Sequence, residues 1–266
     1  MTDYADLFTG KGFRPEPDSP DHWGYEDNLK PKMKLGTAGD IDLREFTSPR
    51  HDQRHSSSCV AQAVVKALEI KRIMKEGHGA HVDLSRLAVY YLARELMLPK
   101  ETHMDDGTFV SHACDVLRRW GVCLEQEWPF KLDKITTSPS WMAMRSAYLH
   151  KIDGYYKIRS TGQKRVDEVV RCLQAGNPVV YGTNVGSNWM TYRANSDPLQ
   201  IPDDNHGGHA TVLLGWKDGL FIGENSWGVG WGQNGFYLMD PSVIAWGGSR
   251  DFWIVQEGFE EYKGGA

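Results

Sequence analysis

The sequence predicts an α+β fold whose two halves meet at a cleft. Three observations predict it. Apolar residues recur at helical spacing through the first half of the chain, and short β-branched and aromatic runs separated by turn signals fill the second. The Pro-, Gly- and Asp-rich residues 1–41 follow neither pattern. Helices segregated from strands argue for α+β over an alternating α/β arrangement. The expected division is an extended arm over 1–41, a helical part over 42–150 and a β-rich part over 151–266.

The arm contains Arg14-Pro15-Glu16-Pro17-Asp18-Ser19-Pro20-Asp21-His22, a composition suited to an extended segment lying over a surface. Helical patterning begins just after Cys59. Val60, Ala63, Val64, Ala67, Leu68 and Met74 share one face, while Lys66, Glu69, Arg72 and Lys75 fall elsewhere. Ser56–Ser58 supply N-cap chemistry, and Gly77 and Gly79 supply the stop. A second helix is expected over 84–97, capped by Asp83 and followed by Pro99. A third spans 108–120, opened by Asp105-Asp106-Gly107-Thr108 and closed by Gly121, and a fourth spans 166–175, ending at Gly176. Strands are expected over 178–182, 209–216, 220–224, 235–239 and 252–256, with turns at Lys217-Asp218-Gly219 and Gln233-Asn234-Gly235.

Composition excludes several function classes. The 266 residues are 40% apolar and 24% charged, an ordinary globular balance large enough for two half-domains sharing a cleft. A net charge of −5 without a basic run gives no footprint for nucleic acid. No apolar stretch approaches the roughly 18–20 residues that span a bilayer. The start, Met1-Thr2-Asp3-Tyr4-Ala5-Asp6, lacks the basic and apolar regions of a signal peptide, so a cytoplasmic protein is expected, with a released or virion-associated form as the alternative. Cys59, Cys114, Cys123 and Cys172 form no CxxC pair and are expected as reduced thiols, the last three as small buried apolar residues.

Cys59 differs from the other three. It opens a helix, where the partial positive charge of the helix end favours a thiolate. His209 begins an apolar run in Gly208-His209-Ala210, and its imidazole can take the thiol proton and later serve as general acid. Asn225, in Asn225-Ser226-Trp227-Gly228, can orient that imidazole without adding charge, and Trp227 can shield the bond from water. Gln53 offers an amide donor which, with the Cys59 N–H, can make an oxyanion hole. Singly, each has a plainer reading: a packed Cys, a polar strand end, a turn, a loop glutamine. Their joint order points to a Cys-His-Asn acyl-transfer site.

These residues carry a family resemblance. Asp42-Leu43-Arg44, Asp52-Gln53, Ser58-Cys59, Gly208-His209-Ala210 and Asn225-Ser226-Trp227-Gly228-Val229-Gly230-Trp231-Gly232-Gln233-Asn234-Gly235 together resemble the papain-like cysteine peptidases over about residues 42–256. The resemblance implies a helical subdomain, an antiparallel barrel-like subdomain and a cleft between them. It also implies Cys59 as nucleophile, His209 as acid/base, Asn225 as orienter and Gln53 as oxyanion donor. Protein or peptide substrates would follow, with no metal or cofactor. Gly107 resembles a glycine that pairs with the substrate main chain, its other reading being a turn into the helix. Gly208 is expected beside substrate, with Trp227 close by, and Trp231 lines the leaving-group side or belongs to the core. The departures are Val60 where the family carries an aromatic residue, Gly208 where many members have a polar one, and Ser56–Ser58 where the family has a cysteine and glycines. The family's disulfide in that subdomain is therefore missing.

Asp203-Asp204-Asn205-His206 reads as the lead into His209 more readily than as a metal site. The expected activity is endopeptidase hydrolysis through a thioester. The rivals are an isopeptidase or transpeptidase using the same triad, and a catalytically silent peptide-binding or virion protein whose arm blocks the cleft.

Overall fold

The computed structural model describes residues 12–30, 39–97 and 102–257. Residues 1–11 and 31–38 of the arm, and Pro99, lie outside them. After a short helix in the arm, α1 (Tyr25–Asn28), the helical part holds α2 (Cys59–Glu76), α3 (Arg86–Met97), α4 (Val110–Arg119) and the short α5 (Trp141–Met144). Seven strands form one antiparallel sheet: β1 (Ile41–Asp42), β2 (Gly154–Ile158), β3 (Val179–Val185), β4 (Gly207–Lys217), β5 (Leu220–Glu224), β6 (Phe236–Met239) and β7 (Ser249–Gln256). Between them run α6 (Gly162–Gln174), α7 (Ser187–Met190) and α8 (Pro241–Ala245).

The strand order is β2-β7-β3-β4-β5-β6, with β1 paired to β4. This sheet is more open than the barrel-like form expected, since β2 and β6 stand at its two ends. Two apolar cores flank it. One gathers α2, α3 and α4 against Val212, Leu214 and Trp253 of the sheet. The other joins Val169, Cys172 and Leu173 of α6 and Val243 and Ile244 of α8 to Tyr181, Leu213 and Ile254.

Helix α2 is buried on nearly every face from Cys59 to Ile73. Lys66, Glu69 and Arg72, placed by spacing alone on a polar face, are buried too, because α2 runs through the centre and meets other charged residues there. Its N-cap Ser58 makes no side-chain cap bond. The Ser58 hydroxyl is held by Ser56 Oγ at 2.8 Å and Gln62 Nε2 at 3.1 Å instead. Gly77, at φ +85°, ends the helix as expected. Ser85, not Asp83, caps α3, its hydroxyl accepting from Ala88 N–H at 3.2 Å. Gly121 closes α4 at φ +82°, where a Cβ would lie 1.9 Å from the Ala147 carbonyl oxygen, so no other residue fits.

The β4–β5 hairpin has Asp218 and Gly219 both at positive φ, the two-residue turn the sequence signals. Strand β2 has no counterpart among the sequence-based strands. Lys157 interrupts its apolar run, and only the ion pairs to Asp18 at 2.7 Å and Asp251 at 2.9 Å make its burial tolerable.

Candidate active site

Cys59 starts α2 at the centre of the molecule, and β4 passes directly over it. The Ala210 N–H donates to Cys59 Sγ at 3.4 Å, so the strand that carries His209 crosses at the thiol. His209 Nε2 lies 2.8 Å from Asn225 Oδ1. Asn225 Oδ1 also accepts from the Ser226 N–H at 2.8 Å, and the Asn225 N–H donates to Gly235 O at 2.9 Å, so the amide is held on both sides. Two indoles enclose the imidazole. Trp227 lies 4.9 Å from it, centroid to centroid, and Trp189 of α7 stands edge-on at 6.0 Å.

Gln53 comes from the loop before α2. Its N–H donates to Ser226 O at 2.8 Å, and its Oε1 accepts from Ser226 Oγ at 2.6 Å. Its Nε2 gives one N–H to Ser56 O at 2.7 Å, leaving the amide plane fixed and a second N–H on the same nitrogen. The segments at 51–53 and 226–228 are thus zipped together, through an Asp52–Trp227 bridge, and Gln53, Cys59, His209 and Asn225 converge on one place.

All four cysteines are free and buried. Where a disulfide is missing, Asp105 takes over the bracing. Its carboxylate accepts from Ser57 N–H, at 3.1 Å to each oxygen, and from Tyr90 Oη at 2.5 Å. Hydrogen bonds to a charged group contribute about 1.5–3 kcal/mol each. Asp105→Ala is therefore expected to lower unfolding stability by about 2–3 kcal/mol, measured as a fall in the chemical denaturation midpoint.

The papain family cysteine protease model matches residues 37–256 of the chain. The chain belongs to the papain family of cysteine proteases. It is similar to an uncharacterized peptidase C1-like protein of Acanthamoeba polyphaga mimivirus, 30% identical over 246 residues that cover 86% of this chain and 77% of the viral one. Among solved structures it resembles xylellain, a cysteine protease from Xylella fastidiosa, with a TM-score of 0.78 and 27% identity over 94% of this chain and 96% of that one. It shares its fold with digestive procathepsin L 3 of Tenebrio molitor, with a TM-score of 0.72 and 17% identity over 96% and 79% of the two chains.

In this papain-family protease the arm runs through the cleft. Thr108 N–H donates to Gly12 O at 3.3 Å, Arg14 N–H donates to Thr108 O at 3.2 Å, and Phe13 N–H donates to Gly208 O at 3.3 Å. Phe13 is 3% exposed, and its ring fills the space a Cβ on Gly182 would occupy, 2.1 Å from its nearest atom. A Cβ on Gly12 would lie 2.4 Å from Cys59 Sγ, so the arm's backbone crosses immediately over the thiol. Beyond Phe13, Arg14 Nε donates to Asp106 O at 2.6 Å and Ser111 Oγ donates to Glu16 Oε1 at 2.6 Å.

Of the expected substrate contacts, Gly208 meets the arm through its carbonyl. Gly107 does not; its N–H donates to Tyr90 Oη at 3.0 Å, and the neighbouring Thr108 makes the backbone pairs. Trp231 is fully buried, its Nε1–H donating to Trp189 O at 2.9 Å, and belongs to the core. Asp204 and His206 form an exposed pair at 3.0 Å that pins Ser187. Sequence reasoning missed the roles of Asp105, Tyr90, Gly182, Trp189 and Ser226. Asp105 carried a signal in the acidic run read as a helix opening, and Ser226 one in the Asn225-Ser226-Trp227-Gly228 motif.

Burial under the arm decides the charge state. It pushes the Cys59 thiol up to about 12, against the pull of the Ala210 and Val60 N–H groups, and pushes His209 down to about 4 despite Asn225. Both shifts favour the neutral thiol and the neutral imidazole in this arrangement.

Proposed function

We propose that this protease cleaves internal peptide bonds through a thioester on Cys59, and that residues 12–14 hold it latent. The observation that carries the reading is the extended backbone of residues 12–14, seated between Thr108 and Gly208 directly over Cys59. A cleft that binds its own main chain on both sides is built for an extended peptide.

With the arm displaced, the His209 Nε2–H donates to Asn225 Oδ1, which leaves Nδ1 as the proton acceptor. The thiol proton passes to Nδ1 and Sγ attacks the substrate carbonyl carbon. The Cys59 N–H and the second Gln53 Nε2–H receive the developing oxyanion. The imidazolium returns its proton to the departing amine as the C–N bond breaks. Water, deprotonated by His209, then attacks the thioester, releasing a carboxylic acid and the free thiol.

The test is digestion of a peptide library in ¹⁸O-labelled water, followed by mass spectrometry. One ¹⁸O in each new internal C-terminus supports hydrolysis. Products joined to an added amine would show transpeptidation, and intact peptides with normal binding would show a silent binder. Gln53→Ala is expected to lower kcat by about 10²–10³-fold with KM little changed.

A further inference from the structure

The charged residues buried along α2 are not used by the reaction described above, yet they join all three segments that supply it. Lys66 lies on α2, which begins at Cys59. Its Nζ donates to Pro49 O at 2.7 Å and to Ser48 O at 3.2 Å, on the loop that leads to Gln53. The same Nζ stands 3.2 Å from Oε1 of Glu224, the residue immediately before Asn225. Arg50 Nη1 approaches the other Glu224 oxygen at 3.5 Å. Glu69 completes the group, accepting from Ser48 Oγ at 2.5 Å, His51 Nε2 at 3.2 Å and Leu84 N–H at 3.0 Å.

Lys66 is 2% exposed and Glu224 3%. Desolvating such a pair consumes most of its attraction, so stability alone gives little reason to bury it. Its placement gives another. Lys66, Glu224 and Asn225 line one small cavity with Gln62 and Thr211. Thr211 Oγ1 donates to the Glu224 carbonyl, which fixes the backbone on which Asn225 turns. His51, Glu69 and Asp83 also gather closely enough to suggest a cation site. Lys66 Nζ at 3.8 Å from Glu69 and the three donors already on that carboxylate account for the cluster without one.

We propose that the buried Lys66–Glu224 ion pair is a positioning device for Asn225 and, through it, for the His209 imidazole. The pair bolts the strand end that carries Asn225 to the helix that carries Cys59, at a fixed height below the thiol. Neither residue touches substrate. Small misplacements of a catalytic group lower turnover by up to about 10²-fold without weakening binding. The inference rests on His209 acting as the base for Cys59.

The test uses the full chain carrying Phe13→Asp, which displaces the arm, with Glu224→Gln, Lys66→Met and the two combined. Three quantities are read: melting temperature, kcat and KM on a peptide substrate, and the pH profile of iodoacetamide alkylation at Cys59. Each single variant leaves a charge with one partner fewer, so melting temperature and kcat both fall. The double variant removes both charges, so its melting temperature recovers part of the loss; the remainder reflects the Lys66 bonds to the Ser48 and Pro49 carbonyls and the Arg50 contact. Its kcat stays about tenfold down with KM within about twofold, and its alkylation profile stays displaced. Recovery of kcat and of the alkylation profile together with melting temperature would show a purely structural pair and overturn the proposal. If the parent cleaves no peptide but alkylates selectively at Cys59, the peptidase assignment fails while the alkylation profiles still decide the positioning role.

Discussion

Cys59→Ser is expected to abolish peptide hydrolysis, with kcat falling on the order of 10⁶-fold, the scale for loss of a covalent nucleophile that acts in concert with its base. The hydroxyl is a far weaker nucleophile than a thiolate, and nothing around it is arranged to ionise it. The aids at position 59 among the described residues are the helix start, the Ala210 and Val60 N–H groups and, as proposed, the His209 imidazole. His209→Ala lowers kcat by a similar factor, and the double variant is no worse than either single one, because the two residues act as a unit. Additive losses would mean that Cys59 and His209 work separately. Cys59→Ser keeps the size of the side chain, whereas His209→Ala opens a buried cavity between two indoles, so the measurement is steady-state kinetics at a temperature where each variant's melting curve shows it folded.

Phe13→Asp is expected to release the arm and raise the rate of Cys59 alkylation by about 10²–10⁴-fold. The estimate follows from burial. Removing a buried Phe side chain costs about 3–5 kcal/mol in a packed site, and each 1.4 kcal/mol is about tenfold in an equilibrium. An ionised carboxylate in the space over Gly182 disfavours the seated state further. Gly12→Val acts by a second route. Its Cβ would fall 2.4 Å from Cys59 Sγ, a distance no packing can relieve without moving the arm. Both variants should show faster alkylation, and Phe13→Leu, which keeps an apolar side chain and adds no atom toward Gly182, should show a clearly smaller rise. Equal rates in all three would mean that the arm is not what shields the thiol.

The legible parts of this chain are those whose chemistry is local. Apolar periodicity and glycine stops place α2 and α4 within a few residues, and the Lys217-Asp218-Gly219 turn places the β4–β5 hairpin. Gln53, Cys59, His209 and Asn225 stand in motifs short enough to read directly, and the structure brings all four to one place. Other features depended on partners distant in sequence. Lys66 and Glu69 read only as lying off the apolar face because Glu224 and Ser48, which make their burial tolerable, lie elsewhere in the chain. Lys157 hid β2 for the same reason. Thr108 was overlooked in favour of Gly107 because backbone pairing leaves no mark on side-chain identity. Gly182 reads as an ordinary strand glycine until Phe13 is seen to occupy its missing Cβ.

The arm also changes how the site is understood. Residue types imply a charged thiolate–imidazolium pair, whereas burial shifts both groups toward their neutral forms in this arrangement. The latency proposed above would need no rearrangement of the four residues, only a peptide strand across them.

The most direct measurement is mass-spectrometric mapping of the cysteines labelled by limiting iodoacetamide, in the parent chain, in Phe13→Asp and in Phe13→Asp combined with His209→Ala. The predicted result is selective labelling of Cys59 in Phe13→Asp, much slower labelling in the parent, and loss of selectivity once His209 is removed. Labelling of Cys59 in Phe13→Asp no faster than that of Cys114, Cys123 and Cys172 would contradict the account.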